Sequence, residues 1–553
     1  MTEMDKYKGA VARTAHDLWK ADTGEGSYRN PVLFADYSDP DVIRVGEDFF
    51  MIASSFTYLP GIPLLHSKDL VHWSLVNYCV RHLPFSRYEV PAHGSGTWAP
   101  SIRYHKGWFY VFVPLPDEGI FVTKTRDPFG QWSPIKALRH VKGWIDPCPF
   151  WDDDGKAYMA FAYAKSRCGI KHKISICEMS PDAQELISEP VTVFEGVQTN
   201  PTIEGPKLYK RDGYYYIFAP AGGVENGWQT VLRSENIYGP YDYRIVMHQG
   251  NTDINGPHQG GYIEMEDEAG YFLHFQDRGP YGRICHLQPV SWAQGWPFIG
   301  QEQNGDGIGE PVSEWEMPVC GEALQDGGQA AIPVSGKVPP DSDQAGIPIS
   351  DDFDTCQLGL QWQWQANPVD SWYSLLERPG YLRLYTFRNV RREENLLWYA
   401  PNACSQLLQA PAFEVTVKLE LHPGADGDLC GFGMIGHEYS YLGLAYRNEK
   451  YFLELRTGKV TEKQGEGQAE EKVAWSMEEA CNKIEIGLDL SEDGTYSYFV
   501  CGEKTDIPGR FRLFGGTWTG ARLALVSLNT ENRPSGGAGD FEYVHYRAKE
   551  RGI

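Results

Sequence analysis

The sequence predicts an all-β chain, a five-bladed β-propeller followed by a β-sandwich. Three observations predict it. Residues 29–302 run as short aromatic and β-branched stretches broken by turn residues, with almost no helical period. Within that span one pattern recurs five times: a polar or charged residue, usually a proline, a short strand, a turn, then an aromatic strand. A second series of alternating strands fills residues 351–553, the texture of two packed sheets.

Taken in order, residues 1–28 read as a short amphipathic helix over Lys6–Ala21 and a glycine-rich lead-in. The repeats then open at Asp39 (DPDVIRVGEDFFMIA), Trp98 (WAPSIRYHKGWFYVF), Asp146 (DPCPFWDDDGKAYMAF), Glu204 (EGPKLYKRDGYYYIF) and His258 (HQGGYIEMEDEAGYFLHF). Their spacings of 59, 48, 58 and 54 residues leave room for four strands with loops, the size of a propeller blade. The turns VGED, HKGW, DDDG, KRDG and EDEAG supply glycine or aspartate where a hairpin needs positive φ. Residues 303–350, with NGDGIGEP, DGGQ and VPPDSDQAG, are dominated by Gly, Pro and Asp and read as a linker or wrapping segment.

Composition excludes several classes. Lys and Arg number 50 against 74 Asp and Glu, a formal charge of −24 that repels phosphate backbones. No basic run compensates, so nucleic acid is not expected as a partner. The longest apolar stretch, Trp108–Leu115, is far short of a membrane span, and no membrane partner is expected. The opening MTEMDKYKGAV lacks the apolar core of a signal peptide, which points to a soluble, cytoplasmic protein; a homo-oligomer is compatible with this. The 11 cysteines form no CxxC pair, which disfavours zinc and a disulfide framework. The DDDG at 152–155 lacks the alternate spacing and distal Glu of a calcium loop and reads as a hairpin turn. GDGIG at 305–309 follows no strand and opens no helix, so it is not a nucleotide fingerprint, and no G-x-S-x-G elbow occurs.

In a propeller the first strand of each blade lines the central channel, so the five opening residues converge on the axis. They comprise three carboxylic acids, Asp39, Asp146 and Glu204, with Trp98 and His258. Carboxyls in an aromatic-walled channel are costly unless paired or used. Neighbouring carboxyls also push one another's pKa values apart, so that one stays protonated while another is ionised. Glycoside hydrolysis needs that division: an acid protonates the leaving oxygen and a base activates water. The tryptophan offers a ring for a sugar face.

The same segments, in the same order, resemble a known family. NPVLFADYSDPDVIRVGEDFFMIASSF and LPGIPLLHSKDLVHW resemble the opening of glycoside hydrolase family 43, the β-xylosidases and α-L-arabinofuranosidases. GTWAPSIRY, WIDPCPFWDDDGKAY, TIEGPKLYKRDGYYY and GPHQGGYIE resemble its later blades, and FLHFQDRGPYGRICHLQPVSW its fifth-blade closure. DDFDTCQLGLQWQWQANP with LLERPGYLRL resembles the start of its C-terminal sandwich, of jelly-roll, concanavalin-like form. The resemblance covers nearly the whole chain after residue 28. It implies an exo-acting, inverting hydrolase that removes terminal β-D-xylosyl or α-L-arabinofuranosyl residues from xylo- or arabino-oligosaccharides of plant polysaccharides.

Carried over position by position, the resemblance makes Asp39 the general base, Glu204 the general acid, and Asp146 the group that orients Glu204 and raises its pKa. The two working carboxyls of an inverting enzyme stand ~6.5–9.5 Å apart. Arg283, in YGRICHLQ, would bond the sugar of the terminal subsite and offset the charge of Asp39, with Trp98 and Phe56 as the wall. His258 matches an axial histidine that in some members faces calcium or water. Calcium at the propeller axis is thus expected as optional, with His258 its candidate ligand, and no cofactor is expected as required.

The chain departs from the family pattern at two places. Ile145 stands where many family xylosidases have Phe. Arg522, in TWTGARLAL, stands where some members insert a sandwich-domain Phe into the site. The residues that close the pocket therefore differ here. An endo-arabinanase would need an open groove, and a non-catalytic carbohydrate-binding propeller would have no need of three axial acids. A glycoside phosphorylase would gather Arg and Lys near the axis, where only Arg283 is evident.

Overall fold

The structure, a computed structural model, describes residues 10–265, 270–319, 346–463, 466–502 and 507–549. Five antiparallel four-stranded sheets follow one another along the chain, each built in simple sequential order, and together they form a five-bladed propeller. Their first strands are Asp41–Val45, Ser101–His105, Trp144–Trp151, Lys207–Arg211 and His258–Glu264. Each begins at, or within six residues before or after, one of the five residues that open the repeats.

Local chemistry explains the hairpins. His105 pairs with Trp108 across Lys106 and Gly107, and both intervening residues have positive φ, 49° and 80°. Arg211 pairs with Tyr214 across Asp212 and Gly213 in the same way, with φ of 50° and 81°. Two positive φ values in succession are the turn that matches strand twist. Of the EDEAG turn, residues 266–269 lie outside the described residues and Gly270 opens the next strand. The strands that follow, such as Trp108–Leu115, are buried along nearly their whole length because blades pack face to face on both sides of them.

The lead-in staples the last blade. Leu33 pairs with Cys285, the Tyr28 hydroxyl donates to the Leu287 carbonyl at 3.0 Å, and the Asn30 amide donates to the same carbonyl at 2.8 Å. The helix expected over Lys6–Ala21 differs: among the described residues it is one turn, Ala15–Leu18. Just before that turn the chain is taken up by long-range pairing, Ala12 with Tyr546 and Thr14 with Pro348. Of residues 303–350, Glu314–Glu316 pairs with Ser27–Arg29, while 320–345 lie outside the described residues.

The C-terminal domain is a sandwich of two seven-stranded sheets. One carries Cys404–Leu407, Arg522–Asn529 and Asp428–Ile435; the other carries Leu382–Tyr385, Ala538–Ala548 and Phe413–His422. One hydrophobic cluster runs through both domains, from Leu65, Trp73 and Leu287 of the propeller to Trp364, Phe432 and Leu525 of the sandwich. Leu59 and Trp364 exchange backbone hydrogen bonds of 2.9 and 2.7 Å across the junction. The sandwich is thus fixed against blade one.

Candidate active site

Asp39 and Asp146 stand at matching places, each before a proline and each with a left-handed φ, 54° and 56°. Aspartate tolerates that conformation better than most residues, yet it still stores strain, and such strain collects at functional sites. Asp39 Oδ2 accepts from the Ser38 hydroxyl at 2.8 Å and the Ser54 hydroxyl at 2.6 Å. Arg283 Nη1 lies 3.2 Å from Asp39 Oδ1 and donates to Ser38 Oγ at 2.6 Å. The guanidinium rests 4.9 Å from the centre of the Phe275 ring. Asp39 is therefore surrounded by donors, an environment made for a carboxylate charge.

Arg283 is held from below. Its backbone N–H donates to Asp36 Oδ1 at 2.8 Å, and the other oxygen of Asp36 accepts from the Gly520 N–H at 2.7 Å. One buried carboxyl thus joins blade five to the sandwich. A Cβ on Gly520 would sit 2.7 Å from the Tyr281 carbonyl, so only glycine permits the approach.

Glu204 has the opposite surroundings. Among the described residues no donor reaches its carboxyl, and His258 Nε2 lies 3.6 Å from its Oε1. Burial, then the charges of Asp146 and Asp39, raise its pKa well above the usual carboxylate range, with Arg283 and Lys171 acting against them. Its side chain keeps 29% exposure, so the carboxyl stays accessible although protein surrounds it. Asp146 is raised too, by burial first; the Gly205 N–H, donating to its Oδ2 at 2.7 Å, opposes this, and the charge of Asp39 adds to it. Gly205 takes φ +58°, and a Cβ there would meet the Gln259 side chain at 2.9 Å. The residue after Glu204 is therefore the donor that fixes Asp146.

His258 is buried, and burial with the nearby Arg283 holds its pKa down to about 3. Its imidazole is neutral, so its approach to Glu204 is not an ion pair. Neither ring nitrogen has a hydrogen-bond partner among the described residues. Beneath the acids the axis is filled by an internal ion cluster. Asp41 Oδ2 accepts from Arg103 Nη1 at 2.7 Å and lies 3.5 Å from Lys207 Nζ. Lys207 also donates to the Pro100 carbonyl and the Ser101 hydroxyl, at 2.9 and 2.7 Å, and Arg103 Nη2 to Cys148 Sγ at 2.9 Å. Calcium takes roughly six to eight oxygen ligands. Among the described residues no three His, Cys, Asp or Glu side chains are grouped to hold an ion.

The remaining candidates divide. Phe56, at φ 52° and buried, meets Trp98 edge to face with centroids 6.2 Å apart. Ile145 packs in the cluster between blades three and four with Ile203 and Leu208, and Trp98 lies against that cluster. Arg522 is turned into the domain junction: it donates to Gln363 Oε1 at 2.6 Å and Ser405 Oγ at 3.1 Å, with its guanidinium 4.0 Å over the Tyr58 ring. It occupies no place beside the three acids. Sequence reading missed Asp36, Ser38, Ser54 and Gln259. All four lie within three positions of a residue it did single out (Asp36 and Ser38 beside Asp39, Ser54 beside Phe56, Gln259 beside His258), so the flanks of the named residues were the signal.

Comparisons with known proteins find matches along both domains. Residues 28–297 match the glycosyl hydrolases family 43 domain, and residues 350–547 match the β-xylosidase C-terminal concanavalin A-like domain. A protein of Xylanibacter ruminicola named putative beta-xylosidase is 36% identical over 513 residues, covering 92% of this chain and 87% of the relative. A beta-xylosidase of Formosa agariphila is 31% identical over 94% of this chain and 90% of the relative. A non-reducing end alpha-L-arabinofuranosidase of Bacteroides ovatus is 30% identical over 66% of this chain and 67% of the relative. Among solved structures, a family 43 protein of Bacillus licheniformis superposes with a TM-score of 0.77 at 26% identity, covering 95% of this chain and all of that one.

Proposed function

The chain belongs to glycoside hydrolase family 43 and is a glycosidase; from that premise we propose that it removes single terminal pentoses from oligosaccharides with inversion, β-D-xylose first and α-L-arabinofuranose second. The observation that carries this is the contrast between two carboxyls on one channel. Asp39 is ringed by Arg283, Ser38 and Ser54, whereas Glu204 has no donor among the described residues and a raised pKa. In the proposed reaction Glu204 gives its proton to the glycosidic oxygen as that bond breaks. Asp39 takes a proton from the water that attacks the anomeric carbon from the opposite face. Asp39 ends protonated and Glu204 ionised, and solvent exchange resets both. Asp146, fixed by the Gly205 N–H, raises the proton affinity of Glu204 through like charge and keeps its backbone in register.

Exo action is supported by the sandwich packed against blade one and tied to Arg283 through Asp36, which favours a closed pocket over an open groove. The order of sugars rests on the names of the two fuller-length relatives. The test is release of nitrophenol from aryl β-D-xyloside and aryl α-L-arabinofuranoside, with and without phosphate. Hydrolysis of the xyloside at a rate indifferent to phosphate is expected. No release from either glycoside, or release that requires phosphate, would contradict the proposal.

A further inference from the structure

Three aromatic rings form a ladder from the floor of the site to solvent. Phe56, 3% exposed and two residues from Ser54, is the bottom rung. Trp98 lies edge to face with it, at 6.2 Å, and Trp518 lies edge to face with Trp98, at 6.4 Å. Trp518 belongs to the sandwich and is 51% exposed, which few tryptophans are. The middle rung has limited freedom to take a ligand: the Arg167 guanidinium stands 5.1 Å over the Trp98 ring, held by Asp117 at 3.2 Å and by the Gly94 carbonyl at 2.9 Å. The top rung is the open one.

The segment that carries Trp518 is built, not loose. Trp518 has φ +65°, an outlier for a bulky residue that persists only where surroundings enforce it. Gly516 N–H donates to the Thr519 carbonyl at 2.8 Å, closing the turn beneath the indole. The Thr517 hydroxyl lies 3.0 Å from His437 Nε2, the Gly520 N–H is bound by Asp36, and the Ala521 N–H donates to the Pro280 carbonyl at 2.7 Å. Gly94 packs so close that a Cβ on it would be 2.6 Å from the Thr517 methyl. A strained, exposed tryptophan on a rigid turn, in line with rings that lead to the acids, is a surface prepared for the apolar face of a sugar.

We propose that Trp518 is the specificity-determining platform for the leaving-group sugar, so that this site selects oligosaccharides over simple glycosides, and that the sandwich thereby completes the substrate site. This rests on the pentosidase reading above. It assigns the departure at Arg522 a consequence: the sandwich reaches the substrate with the ring four positions earlier, while Arg522 secures the junction.

The test compares xylobiose, whose leaving group is a sugar, with β-D-xylosyl fluoride, whose leaving group can touch no ring. Trp518→Gly removes the indole while accepting the positive φ, so the turn is kept; Trp518→Phe keeps a ring. For Trp518→Gly, kcat/KM on xylobiose should fall about tenfold or more, chiefly through KM, with a several-fold smaller loss on the fluoride. Trp518→Phe should recover most of the loss. Equal losses on both substrates, or no loss on xylobiose, would overturn the platform role while leaving the pentosidase reading intact. A wild-type protein that cleaves neither substrate would defeat that reading and this proposal together.

Discussion

Burial raises both Glu204 and Asp146; the charge of Asp146 makes Glu204 harder still to ionise, and the charge of Asp39 does the same to both. The working form of an acid catalyst is the protonated one, present below its pKa and lost as pH rises through it. Because burial and Asp146 raise Glu204, the alkaline limb of the activity profile should lie above the ordinary carboxylate range. Asp146→Asn keeps an acceptor for the Gly205 N–H but removes the charge, so that limb should move to lower pH in a kcat/KM profile; an unmoved limb would deny Asp146 its role. Glu204→Gln should cost about 10²- to 10⁴-fold in kcat on xylobiose and far less on a dinitrophenyl glycoside, which needs little help in leaving. Equal losses on the two would show that Glu204 is not the acid. At this scale the sequence displayed the acids because they repeat at blade spacing. It hid their partners, since Asp36 acts through Gly520, 484 positions away, and nothing in either residue alone advertises the contact.

The blades' first strands hold these residues and are held in turn by charge. Asp41, Arg103 and Lys207 come from three blades, with Cys148 of a fourth touching Arg103, so the cluster spaces the strands that bear the acids. Removing one partner of a buried ion group leaves the others uncompensated, at a cost of about 3–5 kcal/mol. Asp41→Ala should therefore lower the Tm markedly and shift the acids' spacing. A Tm unchanged within a degree or so would mean that the cluster does not brace the channel. Elements built from local chemistry were readable in advance. Asp212-Gly213 and Lys106-Gly107 announce their hairpins, because positive φ is a local demand. The N-terminal helix was over-read for the converse reason: Ala12 and Thr14 are claimed by Tyr546 and Pro348, partners that no local pattern reveals.

At the scale of the molecule the two domains share one apolar cluster and one functional junction. Asp36 ties the sandwich to Arg283, and Trp518 carries a sandwich ring to the aromatic ladder. The surplus of 24 acidic over basic residues is mostly spread elsewhere; what matters for chemistry is that three acids meet on one axis in unlike surroundings. That contrast carries the proposed mechanism, because single-displacement hydrolysis uses two carboxyls in unlike surroundings, here one ringed by donors and one whose pKa burial raises. Proton NMR of the first-formed sugar from an aryl β-D-xyloside tests it most directly. With inversion, α-xylose appears first and then mutarotates; β-xylose as the first product would contradict the proposed mechanism.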